Sequence, residues 1–255
     1  MIDIHTHILP GLDDGSQTLS DSLEMAELAL ESGVDTIIAT PHSNQLGRFE
    51  NFDLVHLKHV FSQLQQALRE EGIPLTLHLG MEIFASEDLC EKIQAGALLS
   101  LNRSRYYLVE FAFDEAPEFI GDILDGMLSV GAIPVIAHPE RYFCVQDYPS
   151  LIYHWLQLGC FTQLNKGSIF GKFGRHAQIA ADYLLQHRLA TCIASDAHSP
   201  VMRTTHMRDI IEYLLKTYGE REMLRLLFEN PDCILYDRDI PHHGSLPERR
   251  RGLFF

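Results

Sequence analysis

Along the chain, short apolar runs alternate with segments in which apolar residues have helical spacing, which predicts strands separated by helices. Short apolar runs rich in β-branched residues are typical of buried strands. Seven such runs occur: Ile2–His5, Val34–Thr40, Leu75–Met81, Tyr106–Phe111, Ile133–His138, Cys160–Asn165 and Ala190–Ser195. Between them, apolar residues recur at steps of three and four, as they do on one face of a helix.

The helical pattern is clearest in the first two segments between strands. The first helix is predicted to begin near Ser20 or Asp21, since Asp21 and Glu24 have capping-box spacing, and to end at Gly33. The second is predicted over residues 54–72, with an apolar stripe formed by Leu54, Leu57, Phe61, Leu64 and Leu68. Weaker helical patterns follow at Ser86–Ala95, Pro117–Val130, Pro149–Leu158, His176–Arg188, His206–Tyr218 and Glu220–Phe228.

The order of these elements predicts an α/β fold with parallel strands. Strands separated by helices pair in parallel through right-handed crossovers. Polar residues lie at the carboxyl ends of the strands, and such ends converge at one mouth when the sheet is closed. We therefore predict a seven-stranded, TIM-like (β/α)7 barrel. A doubly wound open sheet is the alternative, but its site would use only a few strand ends.

The chain shows no internal division before its last residues. No linker, low-complexity segment or repeat of fixed period interrupts it, so residues 1–240 are predicted to form one domain. Composition changes in residues 241–255, which contain paired histidines, three consecutive arginines and a Leu-Phe-Phe end. This tail is predicted to be flexible or to face a partner.

Composition excludes several classes of function. A formal net charge of −15 argues against extended binding to nucleic acid, because the phosphates would be repelled. No apolar run approaches the roughly 20 residues that span a bilayer, and no secretory signal opens the chain. The five cysteines are scattered without a Cys-x-x-Cys pair, which favours a reducing cytoplasm over a disulfide framework or a thiolate zinc site.

Histidines and carboxylates follow the predicted strands at their carboxyl ends. His5 and His7 alternate on the first strand, so their side chains project from one face. Asp196 and His198 repeat this spacing after the seventh strand. The intervening candidates are the Asp13-Asp14-Gly15 turn, His42, Glu82, Glu110 and His138. A mixed imidazole and carboxylate set suits Zn²⁺, Mn²⁺ or Fe²⁺, and nine ligands suit two or three ions.

Two arginines add a candidate phosphate-binding function to the mouth of the predicted barrel. Arg141 follows His138 by three residues, and Arg203 lies in the loop after His198. The planar guanidinium matches the oxygens of a phosphate group. Together with clustered metal ions, these arginines predict phosphoester hydrolysis; ordinary surface arginines are the alternative.

Thiolate chemistry of the cysteine-dependent tyrosine phosphatases is excluded by spacing. Those enzymes place an arginine six positions after the nucleophilic cysteine. Here the residues six positions after the five cysteines are Gly96, Ser150, Lys166, His198 and Asp239.

Five motifs resemble the PHP (polymerase and histidinol phosphatase) superfamily. They are Met-Ile-Asp-Ile-His-Thr-His, Ile-Ala-Thr-Pro-His, Gly-Met-Glu, Val-Ile-Ala-His-Pro-Glu-Arg and Ile-Ala-Ser-Asp-Ala-His. Within the superfamily, the chain resembles the bacterial manganese-dependent protein-tyrosine phosphatases encoded with capsule and exopolysaccharide genes. Leu-Pro-Gly-Leu-Asp-Asp-Gly and His-Pro-Glu-Arg are the more specific motifs of that branch.

The resemblance implies a distorted seven-stranded barrel with three divalent metal ions at its mouth, most commonly Mn²⁺, with Fe or Zn as alternatives. The first ion would be held by His5, His7, Glu82 and Asp196, the second by Glu82, Glu110 and His138, and the third by Asp14, His42 and His198. Asp13 is the chemical alternative to Asp14. Arg141 and Arg203 would bind the phosphate.

The implied activity is hydrolysis of protein phosphotyrosine by a metal-activated water. The implied partner is the tyrosine-rich tail of a bacterial tyrosine kinase, in the cytoplasm. A small-molecule phosphomonoesterase, such as a histidinol-phosphate phosphatase, is the first alternative, because the same metal cage would serve it. A noncatalytic metal-binding docking module is the second.

Overall fold

The structure is a computed structural model that describes residues 1–241. The predicted tail, residues 241–255, therefore lies outside the described residues except for Pro241. No helix among residues 1–241 has the length and apolar character that a bilayer span requires.

Nine short parallel strands form the framework of residues 1–241. They are β1 (Ile2–Thr6), β2 (Thr36–Ala39), β3 (His42–Ser43), β4 (Thr76–Leu79), β5 (Glu82–Phe84), β6 (Tyr106–Glu110), β7 (Ile133–Ala137), β8 (Phe161–Asn165) and β9 (Cys192–Ala194). One sheet has the order β1-β2-β4, and the other has the order β3-β5-β6-β7-β8-β9. The predicted α/β class with parallel pairing is confirmed.

Two short strands that were not predicted follow predicted ones, so nine strands are described in place of seven. The predicted run Val34–Thr40 contains β2, and β3 begins after it, beyond Pro41; the predicted run Leu75–Met81 contains β4, and β5 begins directly after it. Proline has no amide hydrogen for a ladder, and a Cβ at Gly80 would meet Leu101 at 3.0 Å. At each of these points the polypeptide passes from the first sheet to the second. The single closed sheet of the predicted barrel is not confirmed.

The first and last strands are linked beyond their ladders. A parallel bridge joins Thr6 to Ala197. The His7 amide donates to the Ala197 carbonyl at 2.9 Å, and the Asp196 amide donates to the His5 carbonyl at 2.9 Å. These bonds place the chain that follows β9 beside the end of β1.

Eleven α-helices are described among residues 1–241. They are α1 (Leu19–Glu31), α2 (Leu54–Glu70), α3 (Leu89–Gln94), α4 (Pro117–Ser129), α5 (Phe143–Asp147), α6 (Leu151–Leu158), α7 (Lys166–Ile169), α8 (Arg175–Gln186), α9 (Arg208–Thr217), α10 (Glu220–Leu224) and α11 (Asn230–Leu235). Two 3₁₀ turns, Leu101–Arg103 and Pro139–Arg141, and a π-helical stretch, Arg225–Glu229, complete the described elements. The short helices α5, α7 and α11 were not predicted.

The first helix begins earlier than predicted. Thr18 is its N-cap, and the Thr18 hydroxyl accepts a hydrogen bond from the Asp21 amide while the Asp21 carboxylate accepts one from the Thr18 amide. The capping box is therefore Thr18 with Asp21, and the predicted pair of Asp21 with Glu24 was wrong. The predicted end is confirmed, since Gly33 follows α1 at a φ of +90°.

The strands are buried on both faces, and the two faces contribute to different cores. Ile37, Val109 and Ile193 face outward and pack with the helices. Ile4 and Ile38 of the first sheet share an inner cluster with Leu108, Val135, Phe161 and Cys192 of the second sheet, closed by Ile234 and Leu235 of α11. The two sheets therefore enclose one apolar interior.

Candidate metal centre

All nine predicted ligands converge at the carboxyl ends of the strands. They lie in or directly beneath a cavity of about 310 Å³, whose lining includes Asp14, His42, Glu110, His138, Asp196, His198, Arg141 and Arg203. His5, His7 and Glu82 lie below this lining and are at most 1% exposed. The convergence follows from the parallel strands, which all end at one edge.

The most deeply buried group brings His5 and His7 at the end of β1 together with Glu82 of β5 and with Asp196, which follows β9. The Nε2 atoms of His5 and His7 are 3.2 Å apart. Each lies 3.2 Å from the same Glu82 oxygen, Oε2, and 3.5 Å from Asp196 Oδ1. These four side chains are the ones implied for the first metal ion.

A second group surrounds the other side of Glu82. His138 Nε2 lies 2.9 Å from Glu82 Oε1 and 3.5 Å from Glu110 Oε1. His42 Nδ1 lies 2.9 Å from Glu82 Oε2 and 3.6 Å from Glu110 Oε2. Glu82 therefore contacts both groups, as a bridging carboxylate would.

The third group lies nearest the solvent. Asp14 Oδ1 is 3.5 Å from His42 Nε2 and 3.6 Å from His198 Nε2. The neighbouring aspartate faces away from this group: Asp13 accepts hydrogen bonds from the His7 ring at 2.7 Å and from the His42 amide at 2.8 Å. Asp14 thus has the position of a ligand, and Asp13 has that of a residue that orients His7.

Unsatisfied buried atoms test whether this cluster suits metal ions. His42 Nδ1, Glu82 Oε2 and His138 Nδ1 have no hydrogen-bond partner among the described residues. Glu82 Oε2 nevertheless lies within 3.2 Å of three imidazole nitrogens. Buried polar atoms without hydrogen bonds are costly, and nitrogen and carboxylate donors crowded around shared points fit divalent cations.

Burial and neighbouring charges shift the ionisation of these groups in opposite directions. Burial raises the pKa of Glu110 to about 8, and the Glu82 carboxylate adds to the rise. Burial also acts to raise the pKa of Glu82, but the His5 and His42 imidazoles outweigh it and hold that pKa well below its ordinary value. Burial lowers the pKa of His138 to about 4. At neutral pH Glu82 is ionised and His138 is neutral, the forms that bind metal ions.

Strained backbone marks two of the strand ends. His138 has a φ of 32° and Asp196 has a φ of 49°. Both values lie in the left-handed region, which is uncommon for non-glycine residues.

Gly15 lets the loop after β1 approach the cluster. A Cβ at this position would lie 2.3 Å from both His7 Cβ and the His7 carbonyl oxygen. Any larger residue would displace His7 or the Asp13 side chain that contacts its ring. The Asp-Asp-Gly turn therefore serves the site through close packing as well as through its carboxylates.

The two predicted arginines line the cavity at one side. The Arg141 guanidinium lies between two rings, 4.3 Å from the centroid of Phe113 and 4.5 Å from that of Phe173. Its Nη1 atom is 3.8 Å from Asp196 Oδ2, whereas Arg203 forms a direct ion pair with that oxygen. Stacking holds the Arg141 fork in place. The sequence pattern gave no signal for the two phenylalanines.

Comparison with known proteins identifies the family. The chain matches the family described as capsular polysaccharide synthesis, CpsB/CapC, over residues 1–236. It belongs to that family, which confirms the resemblance indicated by its motifs.

Individual relatives agree over nearly the whole chain. The tyrosine-protein phosphatase YwqE of Bacillus subtilis is 38% identical over 254 residues, covering 100% of this chain and 99% of the relative. The tyrosine-protein phosphatase CpsB of Streptococcus pneumoniae is 31% identical over 243 residues, covering 93% of this chain and 99% of the relative. A solved structure, from work that describes YwqE and CpsB as unique metal-dependent tyrosine phosphatases, superposes with a TM-score of 0.90 at 36% identity, covering 98% and 100% of the two chains.

Proposed function

We propose that this chain is a metal-dependent phosphatase that hydrolyses phosphotyrosine in proteins and acts in capsule or exopolysaccharide synthesis. The observation that carries the proposal is the convergence of nine imidazoles and carboxylates beneath a cavity that also contains Arg141 and Arg203. The relatives of this family that are called tyrosine-protein phosphatases support the choice of substrate.

The proposed cofactors are three divalent cations, most commonly Mn²⁺. We assign the first to His5, His7, Glu82 and Asp196, the second to Glu82, Glu110 and His138, and the third to Asp14, His42 and His198. The short distances within each set support the assignment. Divalent cations in such a site lower the pKa of water and polarise phosphoryl oxygens.

The side chains of the cavity would supply binding and orientation. Arg141 and Arg203 would hold the phosphate oxygens, because guanidinium groups pair with them through two parallel hydrogen bonds. The buried Glu82 and Asp196 would balance the charge of the cations. No phosphocysteine intermediate is expected, because none of the five cysteines has an arginine six positions later, and burial raises the pKa of Cys160 to about 12.

We extend the proposal to the fold, the partner and the location. The shared interior of the two sheets and the Thr6–Ala197 bridge support a distorted seven-stranded barrel within one domain, residues 1–240. The partner would be a phosphotyrosine protein, in particular the tyrosine-rich tail of a bacterial tyrosine kinase. Five scattered cysteines support a cytoplasmic location.

Restoring metal to chelated protein tests this function. We expect metal-free protein to be inactive on a phosphotyrosyl peptide and Mn²⁺ to restore hydrolysis, while alkylation of the cysteines leaves the rate unchanged. Histidinol phosphate is the comparison substrate. Activity that survives chelation but not alkylation, or a strong preference for histidinol phosphate, would contradict the proposal.

Mn²⁺ binding is expected to strengthen as pH rises from 6.5 to about 8. Burial acts to lower the pKa of His7, but the Asp13 carboxylate outweighs it and raises that pKa well above its ordinary value. Burial raises the pKa of Glu110 to about 8. Both groups therefore hold protons near neutral pH in the metal-free protein, and an entering cation must displace them. Calorimetric titrations in buffers of different ionisation enthalpy will count the protons released; a dissociation constant that does not change with pH would contradict this expectation.

A further inference from the structure

Two buried side-chain amides lie on β8. This strand corresponds to the predicted run Cys160–Asn165, the only one of the seven predicted strands that provides none of the nine candidate ligands. Gln163 and Asn165 are both 0% exposed. They are two residues apart and therefore point to the same side of the strand. A buried amide is costly unless its oxygen and nitrogen are hydrogen-bonded, so the partners of these two side chains reveal what they do.

The two side chains connect one candidate ligand to another. The Asn165 Nδ2 atom donates to Asp196 Oδ2. Gln163 Nε2 donates to Asn165 Oδ1 at 2.9 Å, and Gln163 Oε1 lies 2.7 Å from His5 Nδ1. An unbroken chain of hydrogen bonds thus runs from the Asp196 carboxylate to the His5 ring.

The direction of these hydrogen bonds, from donor to acceptor, is fixed at both ends of the series. The Asp196 carboxylate can only accept, so Asn165 must present its nitrogen to Asp196 and its oxygen to Gln163. The backbone amide of His138 donates to Gln163 Oε1 at 3.4 Å. A backbone amide cannot reverse its role, which independently makes Gln163 Oε1 an acceptor.

The fixed direction decides which nitrogen of His5 carries the proton. Because Gln163 Oε1 accepts, His5 Nδ1 must be the donor. In the neutral ring, the form that binds a cation, the lone pair is then on Nε2, which lies 3.2 Å from Glu82 Oε2 and 3.5 Å from Asp196 Oδ1. A hydrogen-bond partner on the ring nitrogen that does not bind the metal orients an imidazole for metal binding.

We propose that Gln163 and Asn165 are positioning residues of the metal centre. They hold His5 in the tautomer and orientation that bind a cation, and they tie its position to that of Asp196. Asp13 has the corresponding contact with His7, at 2.7 Å. The inference rests on the metal-binding part of the proposed function.

The test compares the affinity for Mn²⁺ of three variants, measured by calorimetry on metal-free full-length protein. Gln163→Met preserves the length of the side chain but removes its three hydrogen bonds, to His5, to the His138 amide and to Asn165, and we expect Mn²⁺ binding to weaken roughly 10–100-fold. Gln163→Glu retains the acceptor for His5 but cannot donate to Asn165, and should bind Mn²⁺ more tightly than Gln163→Met and less tightly than the unaltered protein. Thr162→Val is the control.

The control removes two different buried hydrogen bonds from the same strand, one of which the Thr191 amide donates to the Thr162 hydroxyl at 3.1 Å. The Thr162 hydroxyl donates to the Leu189 carbonyl at 2.7 Å. Thr162→Val should therefore lower the melting temperature and leave the Mn²⁺ dissociation constant unchanged. Equal weakening of Mn²⁺ binding in Thr162→Val and Gln163→Met would show that Gln163 is only structural.

Coupling between the two amides gives a second measurement. Both amides belong to one chain of hydrogen bonds. The double variant Gln163→Met with Asn165→Leu should therefore have nearly the same Mn²⁺ affinity as whichever single variant binds Mn²⁺ less tightly. Fully additive losses, or a Gln163→Met protein with unaltered affinity, would overturn the proposal. If Gln163→Met does not fold, the single variant Asn165→Leu, which removes the hydrogen bonds to Asp196 and Gln163, decides alone, and an unchanged dissociation constant overturns the proposal.

The outcome is separable from that of the phosphatase assay. Unaltered protein that binds Mn²⁺ but hydrolyses no phosphotyrosine would reject the proposed function and leave the roles of Gln163 and Asn165 intact. Variants that bind Mn²⁺ like the unaltered protein would reject these roles and leave the proposed function intact.

Discussion

Replacing Glu82 with glutamine is expected to abolish hydrolysis of a phosphotyrosyl peptide and to weaken Mn²⁺ binding by more than the roughly 10–100-fold typical of a residue outside the ligand set. Glu82 Oε2 lies within 3.2 Å of ring nitrogens of His5, His7 and His42, and Oε1 lies 2.9 Å from His138. An amide has the shape of the carboxylate but lacks its charge. It cannot bridge two cations or balance their charge, so both adjacent metal positions should be lost.

Glu140→Gln is the matched control for this substitution. Glu140 is also a buried glutamate near the centre, at 0% exposure, but its Oε1 atom accepts from the Asn165 backbone amide at 3.0 Å. Glutamine keeps that acceptor. Metal analysis after gel filtration should therefore find near-complete Mn²⁺ in Glu140→Gln and a deficit in Glu82→Gln. Equal metal content and equal rates in the two variants would remove Glu82 from the centre.

The main elements and the ligand candidates could be predicted because both depend on local sequence pattern. Alternation placed His5 and His7 on one face of a strand, and parallel strands brought Glu110 and His138 to the same edge. The short strands β3 and β5 were not predicted, because two or three residues are too few to show a strand pattern in the sequence. The polar residues at the ends of the predicted strands suggested one closed sheet, whereas the ladders form two.

The supporting residues of the centre could not be predicted for a different reason. Amides such as Gln163 bind metal ions weakly, so residue type gives no signal, and the His5–Gln163 contact joins positions 158 residues apart. One signal was present: Gln163 and Asn165 repeat the alternate spacing of His5 and His7 at the end of an apolar strand. Likewise, the sequence left Asp13 and Asp14 equivalent by chemistry, and only the fold separates the one that contacts His7 from the one that faces His198.

Arg141→Ala is expected to lower kcat for a phosphotyrosyl peptide by about 10²–10³-fold, the loss typical of removing one group that stabilises transition-state charge, while bound Mn²⁺ stays unchanged. Arg141 lines the cavity but lies 3.8 Å from Asp196 Oδ2, beyond hydrogen-bond distance, so it does not hold that carboxylate in place. Arg141→Lys should recover only part of the rate, because lysine keeps the charge but loses the planar fork.

Two comparison variants separate phosphate binding by Arg141 from support of the metal centre. His138→Ala should lower both hydrolysis and bound Mn²⁺, since its Nε2 atom lies 2.9 Å from Glu82. Arg203→Ala should also disturb the metal, because Arg203 pairs directly with Asp196. Among the three, only Arg141→Ala should therefore slow hydrolysis at full metal content. An Arg141→Ala protein with unaltered kcat, or one that loses Mn²⁺ as His138→Ala does, would show that this guanidinium does not act on the phosphate.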